Sequence, residues 1–378
     1  MPIEQSTAET ARTTPARTLR VMIVTPLGFG GRGGIDRLMD ELRPLLVQEE
    51  TAGICVRFLV SRGRGSILFS PFYLARTLLN IAYESLFRKV DMVHINLSQD
   101  GSAYRKLMVA WLCRRLGLPY VLHLHGSHFH SFWNRAGGRL SRALATMFRH
   151  SAMTIVLGTV WRDFITAKVP ALSSRIVILP TATRDPGRRG AARRREQRRI
   201  FFSGEHGPRK GTRELIDALG RLANDPSWTA TMTGNGEIER TRSAAKSAGI
   251  ADRVAIPGWI PGAEFEALLN DADILALPSY DENLPLSVVE AFARGIAVIS
   301  TPVGALPDIV KHEESGLVVQ PGDVDALAAG LNRLLHDDAL RTRLGDAGRR
   351  VYENRLMLPV YARRLIEAWC QARAQACG

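Results

Sequence analysis

Short apolar runs alternate with amphipathic stretches along almost the whole chain. In the first half Leu19–Thr25, Ile54–Val60, Asp91–Leu97, Pro119–His125, Ala152–Leu157 and Ile176–Leu179 read as strands. In the second half the corresponding runs are Arg199–Phe202, Trp228–Thr233, Val254–Pro257, Ile274–Leu277, Ala297–Thr301 and Gly316–Val319. Most are continuously apolar, as in strands covered on both faces. Helical patterns lie between them, including Ile35 to about Gln48, Phe72 to Lys89, Tyr104–Leu116, Arg135–Arg149, Trp161–Lys168, Thr212–Leu222, Val324–Leu335 and Pro359–Ala374. Such alternation builds βαβ units and parallel sheets, so the expectation is an α/β protein.

One helix has two readings. Ser70-Pro71 is a cap and first-turn signal, and apolar residues at 72, 75, 79, 82 and 86 then form a single face. That face is expected to pack on its own sheet; the other reading, with Arg76, Arg88 and Lys89, lays part of it on a membrane surface.

The loops between these elements carry the candidate chemistry. The first strand runs into Gly28-Phe-Gly-Gly-Arg-Gly33-Gly34, in which Gly28, Gly30 and Gly33 satisfy G-x-G-x-x-G. An NAD site would want an acid at the end of the second strand; Ser61, Arg62 and Arg64 stand there, which leaves only an NADP form. The strand at 119–125 ends in His123-Leu-His125-Gly-Ser127-His128-Phe-His130. Alternation puts His123 and His125 on one face, yet Ser127 stands where a zinc-hydrolase pattern needs Asp, which argues against a metal site. Lys210-Gly211 closes a strand-to-helix loop, where a cation beside a helix start suits phosphate. Within Leu275–Val310, Glu282 and Glu290 bracket a helix that opens near Pro285 and closes at Gly295. Taken singly, each glutamate also reads as an acid favoured by the helix dipole, worth about 0.3–1 kcal/mol.

Size and charge refine this picture. At 378 residues the default is two domains. The net charge of +13 is uneven: residues 1–185 hold 24 Lys+Arg against 12 Asp+Glu, residues 186–199 hold 7 against 1, and residues 200–378 hold 19 against 24. A basic first half suits nucleic acid, anionic headgroups or phosphorylated substrates, and no nucleic-acid motif accompanies it. Cys55, Cys113, Cys370 and Cys377 form no C-x-x-C pair and read as reduced thiols. The first twenty residues are polar and no eighteen-residue apolar run occurs, so the expectation is a cytoplasmic protein without a membrane span.

Taken whole, Leu275–Val310 resembles the donor-binding signature of family-4 glycosyltransferases, of the glycosyltransferase group 1 type. Pro278-Ser279 precedes an E-x7-E pair, Pro285-Leu286 lies inside it, and Ala291-Phe292-Ala293-x-Gly295 follows, then a strand and a Val303-Gly304 turn. The chain departs from the family's pattern at Asn283, where Gly is common, at Ala305 in place of the second Gly of a pair, and at Asp308 in place of Glu. A fourth departure is Glu205, where the family usually has an arginine that clamps the donor diphosphate.

The resemblance implies the GT-B fold, two Rossmann-like doubly wound domains facing across a cleft. It divides the chain into a disordered N-terminus (1–18), an acceptor-side domain (19–185), a basic linker (186–198), a nucleotide-sugar domain (199–358) and a C-terminal helix crossing back to the first domain (359–378). Glu290 would hold the donor ribose and Glu282 would face the donor sugar. Lys210, with Arg209 as a substitute clamp, and backbone at Gly33, Gly34, Leu286 and Ser287 would take up the diphosphate charge. His125 would contact the sugar, Trp259 would border the base, and Asn283 joins the donor-binding set. No cofactor or divalent metal is expected.

The function so implied is retaining transfer of a sugar from a UDP-, GDP- or ADP-sugar to an acceptor hydroxyl. The acceptor would be a lipid-linked or polysaccharide glycan in bacterial surface polysaccharide assembly. A peripheral place on the inner face of the cytoplasmic membrane goes with it. The alternatives are an NADP-dependent oxidoreductase, a sugar-nucleotide epimerase of the same architecture and a non-catalytic relative.

Overall fold

The computed structural model describes residues 18–31, 34–48, 53–188 and 196–377. Of the N-terminus expected to be disordered (1–18), residues 1–17 lie outside the described residues, as does the middle of the expected linker, 189–195. The first half contributes strands β1 (Leu19–Thr25), β2 (Ile54–Val60), β3 (Met92–Leu97), β4 (Tyr120–Leu124), β5 (Met153–Val156) and β6 (Ile176–Ile178). Its helices are α1 (Gly34–Gln48), α2 (Ser70–Leu86), α3 (Gly101–Arg115), α4 (Phe129–Arg135), α5 (Gly138–Arg149) and α6 (Thr159–Lys168). The second half contributes β7 (Arg198–Ser203), β8 (Trp228–Thr233), β9 (Val254–Gly258), β10 (Ile274–Leu277), β11 (Ala297–Ser300) and β12 (Leu317–Val318). Around these lie α7 (Thr212–Arg221), α8 (Ile238–Ser247), α9 (Gly262–Asp271), α10 (Leu286–Arg294), α11 (Val324–His336), α12 (Asp338–Val351) and α13 (Leu358–Cys377).

The strands form two six-stranded sheets, ordered β2-β1-β3-β4-β5-β6 and β12-β11-β10-β7-β8-β9, with parallel pairing throughout. Chain order reverses between β1 and β3 in the first sheet and between β7 and β10 in the second. Crevices open beyond the carboxyl ends of the strands at such reversals, so the loops after β1, β7 and β10 are placed to meet a ligand. These are the glycine loop, the Lys210 loop and the Glu282 loop.

The last helix does not stay with the second sheet. Tyr361, Leu365 and Trp369 of α13 are buried with Leu38 and Leu42 of α1 under the first sheet. Trp369 Nε1 donates to His94 Nδ1 at 3.1 Å. Burying each large apolar side chain there contributes about 1.5–3 kcal/mol. At the crossing, Arg349 on α12 donates to both oxygens of Asp185 at 2.8 Å and to Glu353 at 2.7 Å, which ties the exit of the first half to the end of the second.

Helix α2 reverses one expectation. Its buried residues are Ser70, Leu74, Thr77 and Ile81, whereas Phe72, Leu79 and Leu86 of the expected packing face are 65%, 70% and 77% exposed. Two apolar stripes run along this helix, and periodicity does not choose between them. On the inward side with Leu74 and Ile81, the Thr77 hydroxyl donates to Val60 O at the end of β2, 2.8 Å away. Smaller differences fall at element ends. Strand β7 starts one residue early because Arg198 pairs with Trp228, and α4 arises where the polar histidine cluster suggested only a loop.

Candidate active site

The site is assembled on the second sheet from two loops that need each other. Gly211 ends the loop after β7 with φ +65°, and a Cβ there would collide with the Pro278 carbonyl of the loop after β10. Only glycine permits this approach without strain. It brings Lys210 against Glu282, whose carboxylate pairs with the Lys210 ammonium and accepts from Ser279 Oγ at 2.8 Å. Both groups are nearly buried. Ser279 is fixed in turn by Thr301, whose hydroxyl donates to Ser279 O at 2.5 Å. A second glycine requirement lies at Gly304, φ +58°, where a Cβ would strike the carbonyls of Glu282 and Asn283.

Helix α10 follows with no side-chain cap, so the N–H groups of Leu286 and Ser287 have no intrahelical partner and face the cleft. Glu290 lies one turn further in. Its carboxylate accepts from Arg37 Nη2 of α1 at 2.6 Å, a contact between the two halves of the molecule. Burial pushes the Glu290 carboxyl up to about 7, against the opposing pull of Arg37 and Arg294. Arg37, half exposed, is held above its usual range by Glu290 and Glu41. The two partners thus disagree in sense: the arginine gains from the pair, and the carboxylate is still short of solvation.

These residues share a cleft of about 970 Å³ with Trp259, Phe29, Gly30 and Gly31. Lys210, Glu290, Leu286, Ser287 and Trp259 therefore converge. Glu282 reaches this group through Lys210. Arg209 stands apart from the cleft wall: its guanidinium donates to Asp281 O at 3.1 Å and to Glu205 at 3.4 Å, and lies 3.9 Å from Glu282. Gly33 lies outside the described residues, and Gly34 is exposed at the start of α1. It is Gly30 and Gly31 that line the cleft, because Asp36 accepts from Leu27 N and Gly28 N at 3.0 Å and Asp40 from Gly30 N at 2.6 Å, folding the loop over α1.

His125 is positioned by the first sheet. Its Nε2 meets Asn96 Oδ1 at 2.9 Å, and since Asn96 Nδ2 donates to Val24 O, that oxygen is the acceptor and Nε2 carries the proton. Burial pushes the imidazole pKa down to about 3, so it is neutral at physiological pH. The neighbouring His123 is buried with neither ring nitrogen hydrogen-bonded. Among the described residues no group of three or more His, Cys, Asp or Glu is arranged to hold a metal ion.

The departures from the family's pattern lie on the seam between the halves. Asn283 Nδ2 donates to His125 O at 2.6 Å. Ala305 packs against Gly158, where a Cβ would collide. Asp308 accepts from Thr159 N at 2.6 Å and from Thr159 Oγ1 at 2.7 Å, which gives α6 the N-terminal carboxylate it otherwise lacks. Asp308→Ala is expected to cost about 1.5–3 kcal/mol, as hydrogen bonds to a charged group do. Urea unfolding reads this directly, and an unchanged midpoint would remove the seam's role. Sequence reasoning missed Arg37 and Ser279; the only signal for Arg37 was its place in the first turn after the glycine loop.

Residues 184–351 match the family model described as glycosyl transferases group 1. Over 330 residues the chain is 28% identical to the 2-deoxystreptamine glucosyltransferase of Streptomyces kanamyceticus, covering 82% of this chain and 84% of that one. The chain is a glycosyltransferase. Among solved structures, this glycosyltransferase superposes on sucrose-phosphate synthase from Thermosynechococcus elongatus with TM-score 0.73 at 18% identity, over 94% of this chain and 99% of that one. HepE of Anabaena, in complex with UDP and glucose, gives TM-score 0.71 at 16% identity over 92% and 98%. These likenesses show the fold, GT-B. At the end of β2, Ser61 donates to Thr25 O and receives the buried Lys106.

Proposed function

We propose that this glycosyltransferase transfers a sugar, with retention of anomeric configuration, from a nucleotide-diphosphate donor to an acceptor hydroxyl. The observation that carries the reading is the convergence of Lys210, the free start of α10 and Glu290 on one cleft opposite the glycine loop. Glu290 would accept from the ribose hydroxyls and Trp259 would cover the base. Lys210 and the N–H groups of Leu286 and Ser287 would stabilise the diphosphate as the bond from the sugar's anomeric carbon to oxygen breaks and its electron pair leaves with phosphate. The acceptor hydroxyl attacks that carbon from the same side and gives its proton to the departing phosphate oxygen. Glu282 faces the sugar beside Lys210. The neutral His125 is unsuited to donate a proton and would position the sugar. Preorganised donors aimed at such developing charge supply several kcal/mol each, so the step asks for no divalent metal.

The donor class also draws on HepE, whose structure holds UDP and glucose. An acceptor on a lipid-linked or polysaccharide glycan, presented at the inner face of a bacterial membrane, is supported by the basic first half. Among the described residues no helix is long and apolar enough to cross a membrane, which suits peripheral attachment. Equilibrium binding of radiolabelled UDP-, GDP- and ADP-sugars tests the donor, and proton NMR of the product's anomeric centre tests retention. Saturable binding of one class with a retained product is expected. No binding by any class would refute the donor reading, and an inverted product would refute retention.

A further inference from the structure

The exposed apolar side chains are not scattered. Leu68, Phe69, Phe72, Leu79, Leu86 and Phe87 are each more than half exposed along α2 and the turn before it. On the adjoining helix α3, Tyr104, Met108 and Trp111 are 54%, 50% and 55% exposed. Helices α2 and α3 pack on each other over the same face of the first sheet, so their outer sides form one continuous surface. Isolated exposed apolar residues need no explanation; a contiguous set of this size marks an interaction site.

The charges around it select the partner. Exposed Arg64, Arg76, Arg88, Lys89, Arg114 and Arg115 rim the surface. Lys89 lies over the Phe87 ring at 5.9 Å and Arg115 over Trp111 at 5.6 Å, holding cations at the level of the aromatic rings. Glu84, an acid on this helix, is taken by Arg57. A second copy docked about a two-fold axis would set this positive rim against itself. An apolar face bordered by aromatics and cations, on helices too polar to span a bilayer, matches the interface of an anionic membrane.

We infer that the outer face of α2 and α3 is a docking surface for an anionic lipid bilayer. The surface begins beside the site. The turn at 67–69 follows β2, where the Tyr73 ring lies against Gly63 and the Arg64 guanidinium against Gly30 of the cleft wall. A docked protein therefore presents the glycine-loop side of its cleft to molecules held in the membrane. That consequence for the acceptor rests on the proposed function; the docking itself does not.

Flotation of the full chain with phosphatidylcholine vesicles, with and without phosphatidylglycerol, tests the inference without any sugar nucleotide. Retention by the anionic vesicles alone is expected. The triple variant Arg76→Gln, Arg88→Gln, Lys89→Gln should bind roughly a hundredfold more weakly at low salt, at about 1 kcal/mol per cation. Phe72→Ser, Leu79→Ser, Leu86→Ser should lose binding as well while melting at the wild-type temperature, since these side chains are exposed. Indifference of the wild type to anionic vesicles overturns the inference, as does unaltered binding of the serine variant, or a change in that variant's oligomeric state in place of its lipid binding. Transfer to a soluble acceptor fragment separates the two claims. If the serine variant keeps that transfer, the docking is a property of its own; if the wild type shows none, the proposed function fails and the docking stands.

Discussion

Lys210→Ala is expected to lower kcat/KM for sugar transfer by roughly 10²–10³-fold, the loss that follows removal of one preorganised donor to a developing anion. Arg209→Ala should cost less than about tenfold. The two lysine and arginine side chains are adjacent in sequence and carry the same charge, so sequence alone ranks them equally as diphosphate clamps. The structure separates them. Lys210 lines the cleft, nearly buried, and among the described residues its ammonium is shared only with Glu282. Arg209 is turned to the Asp281 carbonyl and offset by Glu205, the residue standing where a clamp arginine was expected. Removing Lys210 also leaves the buried Glu282 with Ser279 and the more distant Arg209 as its partners, so part of the loss will show as stability. Lys210→Met, which retains the volume, and a thermal scan of each variant separate folding from transfer. If Arg209→Ala is the more damaging change in a well-folded enzyme, Lys210 is not the clamp.

Much of the architecture was readable because parallel strands buried on both faces announce themselves as apolar runs, and the twelve that form match the runs in order. Lys210, Glu282 and Glu290 could be picked out for a related reason: they lie in or just after loops at strand ends, where topology puts ligands. What was not legible depends on contacts between distant parts. Arg37 and Glu290 are 253 residues apart and meet only because the halves face each other. Asn283 and Asp308 stood out as oddities of a pattern, yet their partners His125 and Thr159 belong to the other half. On α2 the information was present but degenerate, with two apolar stripes that periodicity does not rank; Leu74 and Ile81 are the ones buried. The glycine loop does follow β1, but it is Gly30 and Gly31, in place of the expected Gly34, that line the cleft, bent there by Asp36 and Asp40 of the following helix.

Glu290→Gln is expected to stabilise the fold at pH 8 and, at the same pH, to weaken donor binding by about a hundredfold. The ordinary glutamate pKa near 4.5 rises to about 7 in the folded protein, burial being the first cause. The folded state therefore holds this proton more tightly than the unfolded chain. Stability from this group is fully present below about pH 4.5, is lost as pH rises toward 7, and above that the buried anion costs the fold on the order of 3 kcal/mol. Glutamine removes the anion and leaves Arg37, which is half exposed, to water. The same anion is what two ribose hydroxyls would seek, each hydrogen bond to a charged acceptor being worth about 1.5–3 kcal/mol. Wild-type donor affinity should accordingly fall as pH drops through about 7, while that of the glutamine variant stays level. Thermal unfolding at pH 5 and pH 8, paired with donor titrations at both, reads the two effects separately. A variant that melts below the wild type at pH 8 would show that Arg37 outweighs desolvation; one that binds donor as well as the wild type would take the ribose away from Glu290. Stability given up at one buried carboxylate is the expected signature of a binding group kept charged for a ligand.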